Sequence, residues 1–241
     1  KKHNLIIIED VSQGLGSKFD DIYSGNSGDF SLFSFGRGKS LPALGGGLLV
    51  DTFGKNTEIS IKHKTSFVPY MLKPLFINIL AQPLIYGIWE SLNLLESENN
   101  EIKDTISKQI NSLNKKLIIH YSEYIEKLNV HRKTIAKYFQ EQFKDYDNKI
   151  LIDERADPTY IRYPVLIDET KKIKKTQRKL GIRRMYKKTI DEYPVFKDYI
   201  VNSPTLDGCK KLKLSLITLP THLKINKELT SQISKELFYN I

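Results

Sequence analysis

GDFSLFSFGRGKSLPALGGGLLV, residues 28–50, decides the fold. Phe30 to Phe35 is a β-rich run that ends in small and basic residues, with Lys39 at the turn. Three glycines follow (Gly45, Gly46, Gly47), then a second apolar run from Leu48 to Val50. A lysine in a glycine-rich turn between two strands is exposed enough to react and close to a buried sheet. Upstream stands NLIIIE, residues 4–9, a continuous apolar and β-branched run. Such a run predicts a strand buried on both faces, as in a parallel α/β sheet. It ends at Asp10, and ligands of such sheets sit at the carboxyl ends of the strands. Asp10 and Lys39 are therefore expected to bound one site.

Working outward, residues 11–28 are rich in Ser, Gly and Asp and predict a loop with a short helix or hairpin, Asp20-Asp21 and Asp29 being turn residues. Strands are expected near 30–35 and 46–51, and a polar helix over 54–64. Residues 92–116 suit a connector or an exposed helix. From Leu117 the period turns helical: Tyr121, Tyr124, Ile125, Leu128, Ile135, Phe139 and Phe143 predict one long amphipathic helix, with His131 facing solvent. Tyr160 to Ile167 reads as a strand, and Glu169 to Leu180 as a basic helix closed by Gly181. Leu214 to Leu219 reads as a further strand ended by Pro220, and Asn226 as the cap of a last helix, Lys227 to Leu237.

Composition narrows the function classes. Of the 241 residues, 40% are apolar and 27% charged, as in ordinary globular proteins. The net charge of +10 suits anionic ligands, but no basic stripe interleaved with aromatics is present, so nucleic acid is not an expected partner. Cys209 is the single cysteine, which rules out a disulfide within the chain and fits a reducing, cytoplasmic setting. No cleavable leader pattern precedes the first strand, and a buried strand starting near residue 5 reads as part of a longer protein. The five histidines show no metal-ligand spacing, so no metal site is expected; for His222, after the Leu219-Pro220 corner, an approach to the site is the minority reading. Residues 66–89, SFVPYMLKPLFINILAQPLIYGIW, carry one charge, Lys73, and three prolines. They predict short helices packed on a protein surface rather than a span, with membrane or partner contact as the other reading. GKS at 38–40 is not a P-loop, because Phe33 stands where that motif needs glycine and Pro42 follows where it needs a helix.

As a set, IIEDVSQGLGSKF (7–19), GNSGDFSLFSFGRGK (25–39) and GGGLLV (45–50), with weaker echoes in YIRYPVLI (160–167) and LSLITLPTH (214–222), resemble the DegT/DnrJ/EryC1/StrS sugar aminotransferases, pyridoxal-phosphate (PLP) enzymes of the aspartate-aminotransferase fold. The resemblance implies an α/β fold. Residues 1–110 would be the C-terminal part of a large PLP-binding domain with a mostly parallel sheet and an apolar insert, and residues 111–241 a smaller α+β domain. Lys39 would be the catalytic lysine that links covalently to PLP. Asp10 would pair with the pyridine nitrogen, keeping the ring protonated as an electron sink. Gln13 would lie against the ring or its 3-oxygen, and Ser34 would donate to the cofactor phosphate. For Arg37, phosphate contact and solvent exposure both stay open. A lysine at position 39 speaks against the dehydratase branch of the family.

The implied reaction moves an amino group from an amino acid, glutamate by resemblance, to a keto-sugar nucleotide for polysaccharide or cell-surface glycan synthesis, in a homodimer. The alternative is a truncated, inactive homologue serving at most as an interaction module. The family's pattern includes an N-terminal portion, with a helix N-terminus for the phosphate and an aromatic over the ring, that has no counterpart in these residues. An Asn/Arg segment reaching the partner subunit is likewise not recognisable after the glycine strand.

Overall fold

The computed structural model describes residues 3, 5–36, 38–43, 45–52, 54, 63–64, 108–146, 150, 152–194, 196, 200 and 206–238. The expectation for 66–89 and the question of Arg37 lie outside these residues, as does nearly all of the helix expected at 54–64.

Strand β1 (Ile8–Asp10) pairs in parallel with β4 (Phe30–Ser34), and β4 pairs antiparallel with β5 (Gly47–Asp51), in the order β1-β4-β5. The three expected strands are thus present, with one parallel and one antiparallel pairing where a mostly parallel sheet was expected. Between β1 and β4, Asp20 and Asp21 take positive φ of 47° and 61° and turn the small hairpin β2 (Lys18–Phe19) and β3 (Ile22–Tyr23). Two successive left-handed residues fit the strand twist of a tight hairpin, and Asp tolerates that region. Further along, β6 (His63–Lys64) pairs in parallel with β7 (Lys108–Gln109).

One expectation fails here. The first strand was predicted to be buried on both faces, yet Leu5, Ile6, Ile7 and Ile8 are 51–71% exposed. The reason is its place in the sheet: β1 is an edge strand, and its packing among the described residues is with β4.

The main core lies towards the C-terminus. Helix α1 (Ser112–Ser122) and helix α2 (Ile125–Gln142) replace the single helix expected there. At the break Ser122 Oγ donates to the Ile119 carbonyl at 2.6 Å, and the Glu123 and Tyr124 amides turn back to Tyr121. A hydroxyl bonded to the preceding turn competes with the helical ladder. Strand β8 (Ala156–Asp157) pairs with β2, and β9 (Arg162–Leu166) forms a second sheet in the order β10-β11-β9 with β10 (Arg183–Arg184) and β11 (Leu216–Pro220). β9 is an edge, which is where a strand tolerates Pro164.

The helix expected over 169–180 is only α3 (Lys175–Lys179). Asp168 Oδ1 takes the Thr170 amide at 2.8 Å, a local turn that delays helix entry. Gly181 closes α3 with φ 84° as expected. Helix α4 (Asp207–Ser215), which the sequence reading did not foresee, runs into the start of the strand expected at 214. Helix α5 (Lys227–Phe238) starts where expected: Asn226 Oδ1 accepts the Leu229 amide at 2.9 Å.

α2 and α5 pack on the second sheet. Phe139, fully buried, stacks on Tyr163 (5.4 Å between centroids) and Phe143 (5.9 Å), with Val165, Ile217, Leu219, Ile233 and Leu237 around them. Phe139→Ala is expected to cost about 3–5 kcal/mol in urea unfolding, because the aromatic stack leaves a cavity. Asn226→Ala is expected to cost about 1 kcal/mol through the lost cap, read as a lower midpoint at unchanged slope.

Candidate active site

Asp10 and Ser34 close two parallel neighbours, β1 and β4, at the same end of the sheet. Asp10 is in register with Leu32. Side chains alternate faces with a period of two, so Asp10, Leu32 and Ser34 share one face. Val11 extends the pairing past Asp10, its amide donating to the Leu32 carbonyl at 2.8 Å.

The Asp10 carboxylate accepts the Ser12 amide at 2.9 Å. Hydrogen bonds from the Ser12 side chain and backbone hold its pKa below the usual carboxylate value, and the positive charge of Lys39 acts in the same direction. Asp10 is therefore ionised at neutral pH, and the field of Lys39 reaches it.

The loop that carries Lys39 is built by local rules. The Phe35 amide donates to Gly46 O at 2.9 Å, and the Ala43 amide to Phe35 O at 3.0 Å, closing the neck of the loop. Inside it the Lys39 amide donates to Gly36 O at 3.2 Å, and Gly38 takes φ 79°, a conformation that favours glycine. Leu41 is 1% exposed and anchors the loop in the interior, while Lys39 is half-buried. A Cβ built on Gly36 would stand 3.7 Å from Ser34 Oγ and 3.9 Å from Lys39 Cγ, so the hydroxyl and the lysine stem flank one small residue. The side chain of Gln13 is exposed; its carbonyl accepts a hydrogen bond from Ser40 Oγ at 3.4 Å, fastening the Lys39 loop to the segment after β1. Asp10, Ser34 and Lys39 thus gather at one sheet end, and Gln13 joins them through its backbone.

The residues present fit a PLP site by donor chemistry: a carboxylate held anionic, a lysine whose charge acts on it, and a hydroxyl across one glycine from the lysine stem. Asp10 would hold the pyridine nitrogen, Lys39 the aldehyde carbon and Ser34 the phosphate.

A cleft of about 540 Å³ adjoins this end, lined by Pro42 of the Lys39 loop, Leu128, His131 and Arg132 of α2, and Thr221, His222, Leu223 and Lys224 after β11. His222 comes to this cleft, and His131, expected to face solvent, turns its Nε2 to the His222 carbonyl at 3.2 Å. Burial, then the charges of Arg162, Lys224 and His131, lowers the pKa of His222 below the usual imidazole value. Arg132 was missed by sequence reading. Its signal was there: Leu128, Arg132, Ile135 and Phe139 fall on one helical stripe, an arginine among core positions.

The profile of the DegT/DnrJ/EryC1/StrS aminotransferase family matches residues 1–63 and 106–238. That family is PLP-dependent. No curated protein matches. Among solved structures, a DegT/DnrJ/EryC1/StrS aminotransferase of Brucella abortus superposes with a TM-score of 0.68 at 17% identity, over 97% of this chain and 56% of that one. PseC of Helicobacter pylori, an aminotransferase involved in the biosynthesis of pseudoaminic acid, gives 0.66 at 20% identity, over 99% and 60%. DesI, solved in the presence of its TDP-sugar product, gives 0.65 at 16%, over 98% and 55%. The chain therefore spans between 55% and 60% of the length of these structures. With the family pattern met on both sides of residues 64–105, the chain belongs to the DegT/DnrJ/EryC1/StrS aminotransferase family.

Proposed function

We propose that this chain carries the lysine side of a PLP-dependent aminotransferase site that moves an amino group from an amino acid, glutamate by family resemblance, to a keto-sugar nucleotide in glycan synthesis. The observation that carries the proposal is geometric: Asp10 and Ser34 close neighbouring strands on one face, and the Lys39 loop is fastened to the same end by Ser40 Oγ on the Gln13 carbonyl. Bound PLP would supply an electron-withdrawing ring for the carbanion at the substrate α-carbon. Asp10, kept anionic by Ser12, would hold the proton on the ring nitrogen. Ser34 would orient the phosphate. Lys39 Nζ would hold the cofactor until the donor amine displaces it, and would then take the proton from the donor α-carbon. Lys39 is half-buried, neither sealed in the core nor fully in solvent. We propose a homodimer as the assembly, and the split into a cofactor-binding part (1–110) and a smaller part (111–241), on the resemblance.

A second reading has an observation of its own. The apolar side chains of Leu5 to Ile8 are open, and the chain spans little more than half of the solved relatives. A fragment that only binds another polypeptide would show both features.

Mixing the purified chain with PLP separates the readings. The first predicts a visible absorbance band, fixed by borohydride as a mass increase on the peptide containing Lys39, and lost in Lys39→Ala. Asp10→Asn is expected to keep the covalent link but retain PLP less well on dilution, because the ring nitrogen loses its anionic partner. No band, with Lys39→Ala indistinguishable from wild type, supports the fragment reading.

A further inference from the structure

Arg132 is 93% buried by residue, since only 7% of its surface is exposed, and it lies at the wall of the cleft beside the Lys39 loop. A buried guanidinium is ordinarily matched by a carboxylate. Arg132 has none among the described residues: its hydrogen bond goes to the neutral side chain of Asn129, from Nη1 to Oδ1 at 2.9 Å. The other lining groups sharpen the imbalance. His131, His222 and Lys224 stand on the same cleft, and among the described residues no Asp or Glu lines it. Arg162 adds its charge from behind, near enough to disfavour protonation of His222. The guanidinium of Arg162 is already used, donating to Thr218 Oγ1, Thr218 O and Gly181 O. Of the Arg132 nitrogens, Nη1 is the one hydrogen-bonded among the described residues, and Arg132 lines the cleft.

The position is also fixed from two sides. Asn129, which holds Arg132, donates from Nδ2 to Leu15 O at 3.3 Å, on the segment that carries Gln13. Pro42 brings in the loop that carries Lys39. Leu128, Leu223 and Pro42 give the cleft an apolar wall for a carbon skeleton. At about 540 Å³ the space exceeds what one bare ion needs.

We propose that this cleft is an oxyanion-binding site, with Arg132 at its base and Lys224 at its rim, that takes a carboxylate or phosphate group of an organic ligand entering beside Lys39. Its meaning as a substrate subsite rests on the aminotransferase reading; the binding itself does not.

The test titrates the isotope-labelled full chain at constant ionic strength, with inorganic phosphate in one arm and glutarate in the other, following backbone amide shifts. Saturable shifts at Arg132, His222 and Lys224 are expected in at least one arm, the phosphate arm alone pointing to a phosphate ester and the glutarate arm alone to a carboxylate. Arg132→Gln should weaken the effective anion about ten-fold or more, as for loss of a charge-assisted hydrogen bond, with Arg132→Lys in between. Lys224→Gln, on an exposed side chain that the fold does not need, should weaken it by a smaller factor, about three-fold. Shifts that never saturate, shifts confined to Ser34 and Gly36, or affinities unchanged in Lys224→Gln and Arg132→Lys would overturn the proposal. The PLP experiment fails separately: a Lys39 band without saturable anion binding overturns this inference alone, and anion binding without the band overturns only the Lys39 reading.

Discussion

The parallel register between β1 and β4 is the constraint on which the site depends. Ile8, Glu9 and Asp10 stand opposite Phe30, Ser31 and Leu32. The register is locked at both ends. At the start, the Ile7 amide donates to Asp29 Oδ2, and the Asp29 and Phe30 amides donate to Ile7 O. At the far end, the Val11 amide donates to Leu32 O. A slip of one residue would move Asp10 to the opposite face. It would then no longer share a face with Ser34 or meet the field of Lys39. The buried Ser31 adds a further lock, its hydroxyl donating to the Gly25 carbonyl at 2.6 Å, which ties the incoming loop to the middle strand.

Two features extend that constraint outward. The antiparallel pairing of β4 with β5 closes a loop whose neck is held by Phe35 and Gly46. The lysine cannot drift far from the strand end because the loop is pinned at Leu41 and at the Ser40–Gln13 contact. α2 then joins the sheet end to the C-terminal core: Asn129 reaches Leu15 from its first half, and Phe139 stacks on Tyr163 near its C-terminal end. The same helix carries Arg132 into the cleft. Packing that stabilises the C-terminal core therefore also positions the cationic wall.

Much of this was legible in the residues, and the reasons differ by element. The strands came from apolar runs, the hairpin turn from Asp20-Asp21, and the helix ends from Gly181 and Asn226, because each of these signals is local. The failures are of three physical kinds. Ser122 breaking α1 from α2 and Asp168 delaying α3 are local hydrogen-bond competitions that periodicity does not register. The exposure of Leu5 to Ile8 depends on what lies beside an edge strand, which no run of isoleucines encodes. Arg132 belongs to a third case. Its place on the apolar stripe was readable, but its lack of an acidic partner emerges only when distant segments meet. At the sheet end, the gathering of Asp10, Ser34 and Lys39 follows from motif order, whereas Gln13 takes part through its carbonyl while its side chain is exposed.

The account stands on the carboxylate of β1 and the amine of the glycine-flanked loop sharing one ligand. The most direct measurement is a crystal structure of the full chain treated with PLP and borohydride. The account predicts density continuous with Lys39 Nζ, with the ring nitrogen at hydrogen-bond distance from the Asp10 carboxylate. A cofactor attached to another lysine, or attached to Lys39 with its ring turned away from Asp10, would contradict it.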